Sequence, residues 1–168
     1  MNTDSFEIKL YGKNPEADKL SVLVSLKRVA HVIDHRWYLG KNGYPFTYIK
    51  GARVQLHRYI WYLINGSLPD ENVYIDHINR NKLDATDNNL RLSTPAENSY
   101  NKTPISKTID PTTDKPLHHI KWSKTGYVVS VSKNGITNTI NSIATLEEAK
   151  EIYNMMATEM FGNFAVLY

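Results

Sequence analysis

The sequence predicts an α+β fold, in which short strands and a few helices follow one another without an internal repeat. Alternation of apolar and polar residues over 6–10 is typical of a short strand. The Asn-Gly pair at 42–43 is a strong hairpin turn signal, because both residues tolerate positive φ. Capping boxes that begin at Thr94 and Thr145 predict the starts of two helices.

The composition is that of a folded globular protein. Of 168 residues, 41% are hydrophobic and 22% are charged, which excludes a mostly disordered chain. No apolar run approaches the roughly 18 residues that a membrane span needs, and the N-terminus lacks a secretory pattern. Cysteine is absent, which excludes disulfides and cysteine-ligated metals. A cytoplasmic location, in a host bacterial cell if a phage encodes the chain, is therefore expected.

Basic and acidic residues are separated along the chain. Residues 27–58 hold seven basic residues against Asp34 alone, and residues 115–133 hold four lysines and no acid. Residues 147–159 hold four glutamates against one lysine. This pattern predicts basic faces for a polyanion, with ordinary solvated surfaces as the alternative.

Residues 1–70 are predicted to form a β-rich region. Strand-like residues at 36–56 are punctuated by turns at Asn42-Gly43 and Lys50-Gly51. A helical pattern then covers 57–64, and Asn65-Gly66 ends it. His57, at the start of this helix, is predicted to be structural.

Residues 71–104 predict a strand, a polar loop, a second strand and a helix. The strands lie at 73–78 and near 90–92, and the helix runs from Pro95 to about Lys102. Asp76 precedes His77, Asn89 follows 12 residues later, and Asn98 follows nine beyond that. A neutral imidazole can accept a proton from water, and hard divalent cations prefer oxygen ligands. These residue types suit hydrolysis of a phosphodiester, and a structural, hydrogen-bonded His77 is the alternative.

The same stretch resembles the HNH nuclease motif, also called the ββα-metal or His-Me finger, and most closely that of phage homing endonucleases. The likeness lies in Asp-His-Ile-Asn-Arg-Asn, Asn-Asn-Leu-Arg-Leu-Ser-Thr and Glu-Asn-Ser-Tyr-Asn-Lys, between 76 and 102. The resemblance implies that His77 is the general base. It also implies that Asp76 and Asn98 hold one divalent metal, Mg²⁺ or Mn²⁺. Asn89 would hold the loop and the histidine strand, a role for which Asn88 competes.

The C-terminal part predicts a linker and a second module. Prolines at 104, 111 and 116 indicate a linker over 105–117. Residues 118–168 predict three short strands and an amphipathic helix, and they resemble the plant ethylene-response-factor (APETALA-type) DNA-binding domain. The likeness lies in Ile120-Lys121-Trp122, 126–129, 145–149 and the ending 161–167. This sheet carries lysines where that family uses arginines to contact bases, so phosphate contact is the safer expectation.

The predicted partner is double-stranded DNA. The chain is expected to act as a monomer and not to bind a membrane. The residues predicted to contact DNA are basic, amide or aromatic: Arg53, Arg58, Arg80, Lys82, Asn101, Lys102, Lys121, Trp122 and Lys124. Asn101 alternatively caps its helix, and Trp122 is alternatively a core residue.

Together these features predict a metal-dependent, site-specific DNA endonuclease of the homing type. The resemblance implies products with a 3′-hydroxyl and a 5′-phosphate. One ββα unit cuts one strand, so a monomer would nick. Three alternatives stay open from the sequence: a non-catalytic DNA-binding regulator with a remnant nuclease unit, an RNA-directed nuclease or maturase, and a structural phage protein.

Overall fold

The predicted α+β class is confirmed, because helices and small antiparallel sheets alternate along the chain in the computed structural model. The structure describes residues 4–12, 19–100, 108–114 and 116–168. The chain divides into two compact units, Met1–Pro95 and Ala96–Tyr168. The domain boundaries drawn from the sequence at 70, 104 and 117 stay predictions.

The first unit contains three antiparallel sheets and short helices. Its strands are β1 (Ser5–Lys9), β2 (Ser21–Ser25), β3 (Tyr38–Leu39), β4 (Pro45–Ile49), β5 (Ala52–Gln55), β6 (Tyr74–His77) and β7 (Leu90–Ser93). Its helices are α1 (Val29–Val32), α2 (Leu56–Asn65) and the start of α3 (Pro95–Tyr100). The pairs are β1 with β2, β3 with β4 and β5, and β6 with β7.

The predicted turns of the first unit are confirmed. Gly43, Lys50 and Gly51 have φ of 78°, 50° and 81°. These left-handed conformations close the hairpins β3–β4 and β4–β5. Gly66 ends α2 in the same region, with φ of 74°. Because side chains alternate along β4, Pro45 and Thr47 are buried while the residues between and after them face outward.

Strand β2 anchors the loop between β6 and β7 to the core of the first unit. Val22 and Val24 are fully buried with Trp37, whose indole Nε1 donates to the Val32 carbonyl at 2.9 Å. Leu23 lies between these two valines, and its backbone N–H and carbonyl bond the loop between β6 and β7. Its N–H donates to the Leu83 carbonyl at 2.8 Å, and its carbonyl accepts from Ala85 at 2.9 Å. The loop between β6 and β7 is thereby held to the N-terminal hairpin.

The second unit is a three-stranded sheet packed on one helix, as predicted. Its strands are β8 (Ile120–Ser123), β9 (Gly126–Lys133) and β10 (Ile136–Ile143), in the order β10-β9-β8, and its helix is α4 (Leu146–Phe161). The Thr145 hydroxyl accepts from the Glu148 N–H at 3.2 Å, which caps the helix. Helix α4 buries Ala149, Tyr153 and Ala157 against the sheet.

The described part of the predicted linker packs on the second unit. Leu117 is in the core of that unit, and Ile109 forms a β-bridge with Pro116. The buried Asp110 carboxylate pairs with Lys150 of α4 at 2.5 Å. Within the described ranges, none of the helices is both long and apolar enough to cross a membrane.

Candidate active site

Asp76 and His77 end strand β6, and both side chains are buried. Their exposed fractions are 8% and 3%. The register places Asp76 opposite Arg91 and His77 opposite Leu90. Arg91 donates from Nε at 3.0 Å and from Nη2 at 2.9 Å, and both bonds end on Oδ2 of Asp76. The carboxylate is therefore fixed by an arginine that the sequence analysis did not single out.

Asn89 holds the loop that connects the two strands. Its Oδ1 accepts from the Asn79 N–H at 2.9 Å, and its Nδ2 donates to Asn79 Oδ1 at 2.9 Å and to the Asp84 carbonyl at 2.7 Å. The backbone carbonyl of Asn89 accepts from Ile78 at 2.8 Å. Asn89 is 8% exposed, whereas Asn88 is exposed. This geometry favours Asn89 over Asn88 for the loop-holding role.

Side chains inside the loop make it a compact, self-bonded structure. Asn79 Nδ2 donates to Asp84 Oδ2 at 2.7 Å, and Asp84 Oδ1 accepts from the Thr86 N–H and hydroxyl at 3.2 and 2.7 Å. Asn81 Oδ1 accepts from the Leu83 N–H at 3.0 Å. Such side-chain-to-backbone bonds are what makes Asn and Asp favourable in turns. The loop therefore carries Arg80 and Lys82 on a defined backbone.

A cluster of three rings surrounds the candidate base. The ring centroids are 5.1 Å apart for His57 and His77, 4.9 Å for Tyr44 and His57, and 5.8 Å for Tyr44 and His77. His57 is 6% exposed at the start of α2. The sequence predicts a structural role for His57 and does not point to Tyr44. The only signal was the place of Leu56-His57-Arg58 just before the motif.

Burial keeps both histidines neutral. Desolvation lowers the pKa of His77 to about 4, with Lys82 adding to the effect and Asp76 and Asp84 opposing it. Desolvation, with the charges of His77 and Arg58, lowers the pKa of His57 to about 3. Burial and the Asp76 carboxylate raise the pKa of Tyr44. At neutral pH the cluster therefore presents two uncharged imidazoles and an intact phenol.

Several of the predicted DNA-contacting residues border this site or a neighbouring cleft. The Lys82 ammonium lies 4.6 Å from the Tyr44 ring centroid and donates to the Asn42 carbonyl at 3.0 Å. Arg80 is exposed in the loop. Arg53 and Arg58 line a cleft of about 490 Å³ between β5 and α2, together with Tyr59, Tyr62 and Leu68 among others.

The remaining predicted residues belong to the second unit. Asn98 is half-buried on α3, and its pairing with Asp76 stays a prediction. Lys121 and Lys124 are exposed. Trp122 is 63% exposed and meets Tyr127 edge-on at 4.7 Å, so the alternative that it is a core residue is wrong. Asn101 and Lys102 lie outside the described residues.

In a ββα nuclease, a buried histidine follows a carboxylate on the first strand of a β-hairpin. An asparagine closes the long loop of that hairpin, and its second strand leads into a helix. The structure has this arrangement. A sequence model described as HNH endonuclease matches residues 54–100. The chain is 48% identical over 143 residues to the "Uncharacterized HNH endonuclease L560" of Acanthamoeba polyphaga mimivirus, covering 84% of this chain and 71% of that protein. The chain therefore belongs to the HNH endonuclease family and is a nuclease.

A second relative comes from a bacteriophage. The chain is 37% identical over 112 residues to "Protein 3.8" of Escherichia phage T7, which covers 65% of this chain and 86% of that protein. No solved structure matches the chain. The HNH prediction is thus confirmed at the level of the family, while the likeness of residues 118–168 to the ethylene-response-factor domain stays a prediction.

Proposed function

We propose that the chain is a metal-dependent endonuclease that hydrolyses one strand of double-stranded DNA at a specific site. The observation that carries this proposal is the buried, neutral His77 beside Asp76, at the end of a strand whose loop Asn89 closes. An imidazole without a proton at neutral pH is the form that accepts one from an attacking water. The enzyme family supports the reaction class.

His77 acts as the proton acceptor in this proposal. The neighbouring rings of His57 and Tyr44 restrict how its imidazole can turn. Its low pKa keeps it unprotonated throughout the neutral range. Asn89 acts indirectly in this proposal, because its hydrogen bonds to Asn79 and Asp84 hold the loop that follows His77.

HNH nucleases generally use a divalent metal, and the oxygen donors of Asp76 and Asn98 suit Mg²⁺ or Mn²⁺. In this proposal a carboxylate and an amide, together with the substrate phosphate, would form the ligand set. Arg91, which bonds Oδ2 of Asp76, would keep this carboxylate oriented when such a cation is bound. Such a cation, when bound, offsets negative charge on the phosphate and leaving oxygen.

We propose two kinds of DNA contact. In the first unit, Arg80 and Lys82 lie in the loop between β6 and β7, and Arg53 and Arg58 line one cleft, where their guanidinium groups would contact phosphates. In the second unit, Lys121, Trp122 and Lys124 present cations and a ring. The proposed likeness to ethylene-response-factor domains supports placing that sheet on DNA. Asn101 and Lys102 complete the proposed set.

The biological role that we propose is homing, with the protein acting as a monomer inside a host cell. The viral and phage relatives support a mobile or viral setting. One catalytic unit has one proton acceptor, which supports a nick rather than a double-strand break.

The proposal is tested on supercoiled phage-derived DNA that contains candidate sites. We expect wild type to produce open circles in Mg²⁺ or Mn²⁺ and none in EDTA. His77→Ala should lower the rate at least about a hundredfold, the usual contribution of a positioned general base. His31→Ala is the matched control, because His31 is an exposed histidine of the same unit. Direct formation of linear DNA would contradict nicking, and equal rates for both variants would contradict the role of His77.

A further inference from the structure

A row of exposed and half-exposed aromatic rings crosses the sheet β3–β4–β5. Successive ring centroids are 6.3 Å apart for Tyr11 and Tyr38, 5.9 Å for Tyr38 and Phe46, and 5.9 Å for Phe46 and Tyr48. Tyr48 is 60% exposed and Tyr11 is 47% exposed. These four rings, with Arg36 and Arg53, are called the aromatic–arginine face below.

Strand register explains why the rings share one side of the sheet. Tyr38 pairs with Phe46, and Tyr48 pairs with Arg53, so these residues point to the same side. The alternate residues Pro45 and Thr47 are buried on the other side. The rings are therefore placed outward by the sheet that buries their neighbours, and they do not contribute to the hydrophobic core of the unit.

Two arginines lie against these rings. The Arg53 guanidinium carbon is 4.0 Å from the Phe46 ring centroid, and that of Arg36 is 5.6 Å from the Tyr11 ring centroid. Residues 35–58 contain five basic residues and no acid. The face thus combines flat π surfaces with two guanidinium groups, and this combination is complementary to a strand of nucleotides.

We infer that the aromatic–arginine face binds unpaired bases of single-stranded DNA, such as a stretch opened beside the cleavage site. In a duplex the base faces are stacked on one another, and only edges, sugars and phosphates are reachable. Exposed rings such as Tyr48 stack most favourably on a base whose π face is free. The guanidinium plane over Phe46 supplies a further stacking surface and a charge for the phosphates. This inference rests on the proposed DNA substrate.

The test measures binding of the full chain to a DNA oligonucleotide in EDTA, so that no cleavage occurs. The oligonucleotide carries 2-aminopurine and is presented either as a single strand or as a duplex. We expect the single strand to lose fluorescence on binding, because stacking quenches that base. Tyr48→Ala should weaken single-strand binding about tenfold and duplex binding less than about twofold. Tyr48→Phe, which keeps the ring, should behave as wild type.

Tyr74→Ala is the matched control, because Tyr74 is 47% exposed but takes part in none of the ring contacts of the described residues. It should leave the ratio of single-strand to duplex affinity unchanged. Tyr11→Ala, at the other end of the row, gives a second variant if Tyr48→Ala unfolds at a lower temperature. An equal loss for single strand and duplex, or no loss for either, would overturn the inference. Tighter binding of the same sequence as RNA would overturn the choice of DNA.

The outcome separates this inference from the proposed function. If wild type nicks supercoiled DNA but 2-aminopurine fluorescence does not respond, only the stacking surface is wrong. If single-strand binding depends on Tyr48 but no metal yields cleavage, the proposed reaction is wrong and the surface stands.

Discussion

The two units differ in where they place their polar side chains. In the first unit, Asp76, His77 and Asn89 are buried, and His57 is buried beside them. In the second unit, the polar groups of the sheet lie outside, where hydroxyls pair across the strands: Ser130 with Thr139 at 3.0 Å and Ser132 with Thr137 at 2.7 Å. The buried Asp110 is the exception, and its ion pair with Lys150 joins two parts of the same unit.

This difference bears on the proposed proton acceptor, His77, which lies in the first unit. Burial shifts the protonation of the histidines and makes each lost hydrogen bond costly, so the first unit combines reactivity with sensitivity to substitution. Exposed hydroxyls and lysines keep their hydration and exchange it for a ligand at small cost to the fold. Substitutions in the first unit should therefore change stability and rate, and those on the second sheet should change binding.

The largest effect on stability is expected from Asn89→Ala. It removes the three hydrogen bonds that the buried Asn89 amide makes with Asn79 and Asp84, which should lower the free energy of unfolding by about 3 kcal/mol. Asn88→Ala, on the exposed neighbour, should change it by less than about 0.5 kcal/mol. Urea unfolding of both variants gives the comparison. A larger loss for Asn88→Ala would reverse the assignment of the middle asparagine.

A slightly smaller loss is expected from Arg28→Ala. The Arg28 guanidinium donates to both Asp87 oxygens and to the Leu63 carbonyl at 3.1 Å, and its side chain is 19% exposed. Burial alone would raise the pKa of Asp87, but bonds from Arg28, Lys27 and Ser25 lower it below its usual range. Removing this partner should cost about 2–3 kcal/mol, because it leaves a largely buried carboxylate.

Lys27→Ala is the matched control for Arg28→Ala. Lys27 contacts the same Asp87 carboxylate at 3.1 Å, but its side chain is 67% exposed. An exposed ion pair is worth at most about 1 kcal/mol. Equal midpoints for the two variants in thermal unfolding would show that burial does not set the strength of this pair.

The third prediction concerns acid. The folded chain holds His57 with a pKa of about 3, against about 6.5 when unfolded, so the unfolded state binds more protons between these values. His57 therefore stabilises the fold fully above pH 6.5, and that stability falls by up to about 1.4 kcal/mol per pH unit on acidification. His57→Phe should flatten the curve, whereas His31→Gln, at an exposed position, should not. Identical slopes for His57→Phe and wild type would contradict this.

The smallest effect is expected on the second sheet. Lys121→Ala should weaken duplex binding by a similar factor on every DNA sequence and reduce the slope of log K against log salt by about 0.9. Binding titrations at several salt concentrations measure both quantities. Loss confined to one sequence would instead indicate base reading, and would weaken the contrast between the units.

Local signals explain why much of the fold was predictable. The turn at Asn42-Gly43, the end of α2 at Gly66 and the cap at Thr145 each depend on residues close together in the sequence. The spacing of Asp76, His77 and Asn89 identified the motif for the same reason. The structure places Asp76 and His77 on β6 and Asn89 directly before β7.

Other features depend on residues far apart in the chain. Strand β2 is not predicted by the sequence, because its apolar run is short and the residues that separate it from its partner β1 have no clear pattern. The hydrogen bonds of Leu23 to the catalytic loop and of Arg28 to Asp87 each connect residues about 60 positions apart. Contacts between such distant residues leave no local pattern in the sequence.

The sequence by itself determined the α+β class, the nuclease motif and the order of the two modules, since spacing and turn chemistry are written in neighbouring residues. Only the tertiary structure decided that His57 and Tyr44 surround His77 and that Arg91 holds Asp76. It also decided that four aromatic rings form one exposed row. The physical reason is that burial, ring contacts and pKa depend on which distant segments pack together.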